Sequence, residues 1–331
     1  RAPDGRSASK PRRNPLARSG TPVIRPRGPG PDPKDVARHY QDLDHYYREL
    51  WGEHVHHGLW ETGSESSDQA VEALVHRIAT EAGVSRGARV CDVGCGYGGT
   101  ARLLAREYEA QVTGITLSRA QGEFAVAAAG AEGVEERVHI AVGDWLGPDF
   151  ETVRRWGPFD VVLAVESMTH MADLGRALLQ ARTVLRPGGR FVACVWLAGD
   201  GIGGLRERYL LEPLCREGRL AGLPTTGEFQ VAMSEAGFED AVLVADLSGR
   251  VRRTWDLTIQ AGIRRLVEDA RARRFLLDAR QPERVFAATM LRIWAAYRTG
   301  ALRYGLFRGV APLRRGQEPA SQGRINPEHR R

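Results

Sequence analysis

No run of apolar residues in this 331-residue chain approaches the roughly 20 that a membrane-spanning helix needs, so stable membrane insertion is not expected. Cysteine is scarce. The four present, Cys91, Cys95, Cys194 and Cys215, show neither paired spacing nor a zinc-site pattern, and they read as reduced thiols in a cytoplasmic protein. No signal-peptide pattern opens the sequence, which does not begin with Met. A basic body is missing too, despite a net charge of +6. Residues 1–34 hold nine Lys and Arg against two Asp, and residues 313–331 hold five Arg against two Glu, which leaves the stretch between them slightly acidic. That distribution argues against a nucleic-acid partner. Both ends are rich in Pro, Gly, Ser and Arg and are expected to be disordered tails, although an Arg-rich, acid-poor start also suits an organelle transit peptide.

What is present is a short buried-strand pattern running into a glycine turn, Val90-Cys91-Asp92-Val93-Gly94-Cys95-Gly96-Tyr97-Gly98-Gly99-Thr100. The glycines alone also fit a dinucleotide fingerprint, or simply a tight strand-to-helix turn. Asp92 decides between ligands: a carboxylate two positions before the first glycine repels a pyrophosphate but suits the ammonium of a methionine moiety. A dinucleotide site also wants an acid about 20 residues further on, and the second strand ends instead in Gly114-Ile115-Thr116-Leu117-Ser118. The cofactor read from these residues is S-adenosylmethionine.

Downstream, strand, turn and helix alternate as a doubly wound α/β domain requires. Strands are expected at 111–116, 138–142, 159–165 and 191–197. A helix carrying Leu174, Leu178, Leu179, Ala181 and Val184 on its apolar face is expected before Arg186-Pro187-Gly188-Gly189. Asp92, Thr116, Asp144 and Glu166 all fall at the carboxyl ends of strands, where such sheets bind ligands.

Asp92-Val93-Gly94-Cys95-Gly96-x-Gly98, Gly143-Asp144-Trp145 and Leu185-Arg186-Pro187-Gly188-Gly189 resemble the class I S-adenosylmethionine-dependent methyltransferases. Leu50-Trp51-Gly52-Glu53-His54-Val55-His56-His57-Gly58 and Gly114-Ile115-Thr116-Leu117-Ser118-x-x-Gln121 are similar to that class's gamma-tocopherol methyltransferase-like branch, over residues 36–310. The resemblance implies a Rossmann-like sheet of about seven strands with helical cap elements over its C-terminal strand edge. It implies that Gly94 and Gly96 cradle the methionine end, that Asp144 bonds the adenine amine and that Trp145 flanks the ring. Thr116 stands where the class usually has a ribose-binding acid, and Thr116, Leu117 and Gln121 are the expected substitutes.

The organisation expected is a disordered tail to 34, a cap helix and His-rich turn over 35–66, a core over 67–312 with a cap insertion near 198–226, and a second tail from 313. Val36, Tyr40, Leu43, Tyr47 and Leu50 recur at helical spacing. Helices near 255–266 and 285–297 supply further apolar stripes, each of which suits a core as well as a substrate pocket. Tyr46 and Tyr47 are candidates to touch the cofactor's methionine end.

Methyl transfer from a sulfonium depends on alignment and water exclusion, with a general base only where the acceptor must lose a proton. His170, just after the fourth strand, ranks first as base or substrate positioner, His57 second, with His54 and His56 behind. Glu166 is the candidate to orient a histidine or contact the cofactor. The three clustered histidines lack carboxylate or cysteine partners at coordinating spacing, so no metal is expected. The reading is methyl transfer to a small lipophilic or aromatic metabolite such as a prenylated quinol, terpenoid, alkaloid or phenol. A catalytically silent cofactor-binding subunit and, less favoured, an RNA or DNA methyltransferase are the alternatives; a homo-oligomer is compatible with all three.

Overall fold

The computed structural model describes residue 24 and residues 31–42, 52–278 and 285–313. In chain order the elements that build the site are α1 (Pro33–Asp42), α2 (Ser67–Ala82), β1 (Arg89–Val93), α3 (Gly99–Glu107), β2 (Gln111–Thr116), α4 (Arg119–Ala131), β3 (Val138–Val142), α5 (Phe150–Trp156), β4 (Phe159–Val165), α6 (Leu174–Val184) and β5 (Leu185–Ala198). They continue with α7 (Glu212–Glu217), α8 (Thr226–Glu235), β6 (Glu239–Asp246), α9 (Ser248–Val251), α10 (Arg253–Glu268), α11 (Ala270–Leu277), α12 (Phe286–Arg298) and β7 (Leu302–Val310).

The strands form one sheet in the order β3-β2-β1-β4-β5-β7-β6. Its first five strands pair in parallel, and β7 runs antiparallel between β5 and β6. Val90, Cys91, Val93, Val162, Leu163 and Ala164 are fully buried, as expected of central strands covered by helices on both faces. Caps fix the helix ends. Ser66 and Gln69 make a capping box on α2, Thr225 and Glu228 make another on α8, and Ser118 accepts from the Gln121 N–H to start α4.

Two glycines set the floor of the site. At Gly94 the backbone is left-handed, φ +78°, which a side chain disfavours. Within β2, a Cβ on Gly114 would lie 2.7 Å from the Cys95 sulfur, so its absence lets the glycine turn settle onto the neighbouring strand.

Several expectations change. Strand five starts at Leu185, six residues before the expected Phe191, because Leu185 pairs with Phe159 and Gly188 and Gly189 bond Ala311 across the sheet (2.9 and 2.8 Å). Leu179, expected on the buried face of α6, is 39% exposed; Leu178, Ala181 and Val184 carry that contact. The first tail was expected to be unstructured through residue 34. Instead α1 begins at Pro33, and Ile24 makes an antiparallel bridge with Leu223 and is buried, an apolar residue whose basic neighbours disguise its packing. Leu43, Tyr46, Tyr47 and Leu50 lie outside the described residues, as do 314–331 of the second tail.

The antiparallel end of the sheet is closed by Phe307, fully buried, whose ring lies 4.6 Å from that of Phe229 on α8. Phe307→Ala is expected to lower the unfolding free energy by about 3–5 kcal/mol, read as a lower urea midpoint at unchanged slope.

Candidate active site

The carboxyl ends of β1 to β5 open into a cavity of about 440 Å³. Its floor is the backbone after each strand: Gly94 and Gly96 after β1, Thr116 and Leu117 after β2, Gly143 and Asp144 after β3, and Glu166 and Ser167 after β4. Gly96 has φ +54°, and a Cβ there would meet nothing within 4 Å, so the turn leaves open space above it. Beneath the turn Asp92 is 2% exposed, and its Oδ2 has no hydrogen-bond partner among the described residues. Burial pushes its carboxyl up to about 7. An orphaned acid under an open glycine turn fits a cationic group such as the methionine ammonium of S-adenosylmethionine.

At the other end of the floor, the Thr116 hydroxyl donates to the side-chain carbonyl of Gln121 (2.8 Å), which leaves the Gln121 amide N–H₂ as a donor. Leu117 lines the cavity beside them. Asp144 lines the same end, and its Oδ1 accepts from the Leu146 N–H (2.9 Å). Trp145 is less available than its neighbours suggest: its ring is 2% exposed, sits edge-on to Phe150 and donates from Nε1 to the Ala177 carbonyl (3.2 Å).

Glu166 is the hub of the opposite wall. It has a left-handed backbone, φ +59°, and its Oε1 accepts from the His57 backbone N–H (2.8 Å), from His57 Nδ1 (2.9 Å) and from the Tyr304 hydroxyl (2.8 Å). Oε2 accepts from Trp196 Nε1 (2.8 Å). The pairing of Trp196 with Tyr304 in the β5–β7 register brings these two donors side by side. Burial would raise the Glu166 carboxyl, but interaction with His57 more than offsets it and holds the acid below the usual carboxylate range.

His57 is fully committed. Trp255 Nε1–H can only donate, and it lies 2.6 Å from His57 Nε2, so the ring proton sits on Nδ1 and points at Glu166. Tyr297 closes on the same Nε2 at 3.1 Å. His56 Nδ1–H donates to the His57 carbonyl (2.8 Å) and His54 Nδ1–H to His56 Nε2 (3.2 Å), which makes the histidine cluster a hydrogen-bonded strap. Burial lowers both of these pKa values, that of His54 to about 3. The strap is tied down by Glu53, paired with the buried Arg102, whose Nη1 also donates to the Tyr97 carbonyl in the glycine turn (2.6 Å). No group of three potential metal ligands occurs among the described residues.

His170 differs. Its Nδ1–H donates to the Arg219 carbonyl (3.0 Å), so Nε2 carries the lone pair, and that nitrogen faces the Tyr40 hydroxyl from α1 at 3.2 Å. Burial lowers the His170 pKa and raises that of Tyr40, so the imidazole stays neutral and the phenol stays protonated. The remaining walls are Val36, Met171, Leu214, Leu220, Trp255 and Ile293, from α1, the β4–α6 connection, the cap insertion, α10 and α12.

Tyr40, Trp196, Trp255, Tyr297 and Tyr304 join the site without having been singled out for it. Tyr40 stood in the helical stripe of α1, yet nothing in that periodicity says that its hydroxyl reaches a residue 130 positions away.

This strand order, with a glycine turn after β1 and ligand-facing groups at the carboxyl edge, defines a class I S-adenosylmethionine-dependent methyltransferase. More particularly, the mycolic acid cyclopropane synthetase family profile matches residues 29–297, and the chain belongs to that family. It is similar to a chloroplastic tocopherol O-methyltransferase of Arabidopsis thaliana, at 28% identity over 85% of this chain and 82% of that protein. It is also similar to the 27-O-demethylrifamycin SV methyltransferase of Amycolatopsis mediterranei, at 32% identity over 68% of this chain and 80% of the relative. Among solved structures, the cyclopropane synthase MmaA2 of Mycobacterium tuberculosis shares the fold with TM-score 0.72 at 19% identity, over 85% of this chain and 99% of that one. The [4+2]-cyclase SpnF shares it with TM-score 0.70 at 23% identity, over 86% and 98%. The cofactor is S-adenosylmethionine, and the chain is a methyltransferase.

Glu166→Gln turns an amide N–H₂ toward a set of donors and strands at least one of them. The expected loss is about 3 kcal/mol of unfolding free energy at pH 7, read by urea titration. Because the acid is held below its ordinary range in the fold, its stabilisation is present above that range and is lost as pH falls through the folded value. The wild type, and not the variant, should show that acid loss.

Proposed function

We propose that this methyltransferase acts on a small lipophilic molecule whose accepting hydroxyl or phenol gives up its proton to His170. The observation that carries the reading is the His170 tautomer. A carbonyl holds Nδ1–H, the free lone pair lies on Nε2, and that nitrogen lines a cavity whose far walls are apolar. The Tyr40 hydroxyl, 3.2 Å from that nitrogen, marks where an acceptor hydroxyl would have to stand to hand over its proton. One relative is named a tocopherol O-methyltransferase and another a 27-O-demethylrifamycin SV methyltransferase.

The bound cofactor supplies an electrophilic methyl group. Asp92 holds its ammonium, Gly94 and Gly96 let the backbone approach, Thr116, Leu117 and Gln121 flank the ribose, and Asp144 takes the adenine amine. Trp145 supports that end from within the core by packing on Phe150. His57 acts as a positioning residue, keeping Glu166 ionised in the wall. Glu166 in turn fixes the strap and the Trp196 and Tyr304 rings, and its negative charge favours a neutral His170 taking up a proton. The apolar walls exclude water from the transfer. Four unpaired cysteines accord with a reducing, cytoplasmic setting.

The test of the acceptor class is a radiolabelled methyl-transfer screen against pooled phenols, prenylated quinols and hydroxylated polyketides, beside pooled prenyl diphosphates. Product confined to the prenyl diphosphates would overturn the hydroxyl reading. For the base, His170→Ala is expected to lower kcat by about 10²–10⁴ while the cofactor Kd stays unchanged. The wild-type kcat/KM should fall on the acid side with a midpoint below the ordinary histidine value of 6.5, a limb absent from the variant. Equal losses in kcat and cofactor affinity would make His170 structural.

Asp92 makes cofactor affinity depend on pH. With the carboxyl raised to about 7, an approaching ammonium must ionise it at lower pH, so Kd by calorimetry should rise up to about tenfold per pH unit below 7. Asp92→Asn should bind more weakly and lose that slope. In the cofactor-free protein the sign for stability is the reverse: the raised pKa adds stability in acid, and this is lost as pH rises through about 7.

A further inference from the structure

The first turns of α10 belong to the core: Thr254, Trp255 and Thr258 are buried, and Trp255 lines the cavity. From Ile259 to Asp278 no described side chain is buried. In this stretch α10 turns at Asp269 into α11, with Arg273 Nη1 tying the two together through the Leu266 and Val267 carbonyls (2.8 and 2.9 Å). Large apolar residues of this stretch are exposed. Ile263 and Val267, one helical turn apart on one face of α10, are 58% and 73% exposed, and Leu277 on α11 is 82% exposed. Between them stand Arg264, Arg265, Arg271, Arg273 and Arg274, against only Glu268 and Asp269.

Large aliphatic side chains held in water among arginines are the composition of an interfacial helix, in which aliphatics enter the acyl boundary and guanidiniums meet phosphates. We propose that the exposed α10–α11 pair docks on an anionic lipid surface. A second copy of this chain fits poorly, since a two-fold contact on this face sets its arginines against one another. Nothing need cross the bilayer: no helix of the described residues is long and apolar enough to do so. If the acceptor is lipophilic, as read above, this surface brings the wall of its cavity to the phase in which such molecules dissolve. The docking itself stands or falls separately.

The test is co-sedimentation of the full chain, without any acceptor, with vesicles of phosphatidylcholine containing phosphatidylglycerol, and with phosphatidylcholine alone. Binding is expected to the anionic vesicles, to weaken with added salt, and to fall about tenfold or more in Val267→Asp/Leu277→Asp. Arg264→Glu/Arg274→Glu should fall similarly. Both pairs are exposed, so thermal unfolding and cofactor affinity should match the wild type. Absence of binding, equal binding to neutral vesicles, or anionic binding unchanged in both variants would overturn the proposal; the last would assign it to the Arg-rich ends. Failure of the hydroxyl-acceptor screen leaves this result untouched, and the reverse also holds.

Discussion

One buried carboxylate organises the active-site wall. Glu166 collects four hydrogen bonds from three separate parts of the chain: the histidine strap, β5 and β7. Through His57 it reaches two more, Trp255 on α10 and Tyr297 on α12. An ionised acid with so little access to water is tolerable only when both of its oxygens are hydrogen-bonded. The requirement works in both directions. The donors must be in place for Glu166 to be buried, and its charge in turn fixes where the strap, the last strand and two cap helices meet. The left-handed backbone at this residue, a conformation that side chains disfavour, is held by the same set of bonds.

The cofactor half was legible because its signals are local. A strand, a glycine turn and a helix follow one another within eleven residues, and the chain repeats that grammar, so the fold class and the strand ends at Asp92, Thr116, Asp144 and Glu166 could be read directly. Strand five starts earlier than expected because Pro187-Gly188-Gly189 reads as a stop, whereas its glycines bond Ala311, just past β7 and more than a hundred residues on. Ile24 was misread for a similar reason. Composition describes a neighbourhood, and a single apolar residue can pack where the surrounding arginines do not.

The histidines show the limit more sharply. Sequence position ranks His170 first, His57 second, and His54 and His56 behind, but it does not say which ring nitrogens are available. What separates them is which ring nitrogen each has left, and that depends on donors contributed by distant elements. Trp255 takes the last lone pair of His57, and His54 donates to that of His56. His170 alone meets a carbonyl on one side and an exchangeable hydroxyl on the other, because Arg219 in the cap insertion and Tyr40 in the first helix converge on it.

The distribution of polarity across the cavity follows from the same division of labour. Sheet edges contribute backbone and short polar groups, since strands must end there and leave amides and carbonyls pointing onward. Helices of the cap contribute Val36, Leu214 and Ile293, since an amphipathic helix lays its apolar stripe inward, and Leu220 joins them from the loop after α7. On the proposed reading, a sulfonium donor with a charged amino acid end matches the polar floor, and a greasy acceptor matches the cap. A [4+2]-cyclase sharing this fold with TM-score 0.70 shows that the frame does not dictate the chemistry. What argues for proton removal in this chain is therefore narrower than the fold: one imidazole lone pair, facing the cavity and met by the Tyr40 hydroxyl at 3.2 Å.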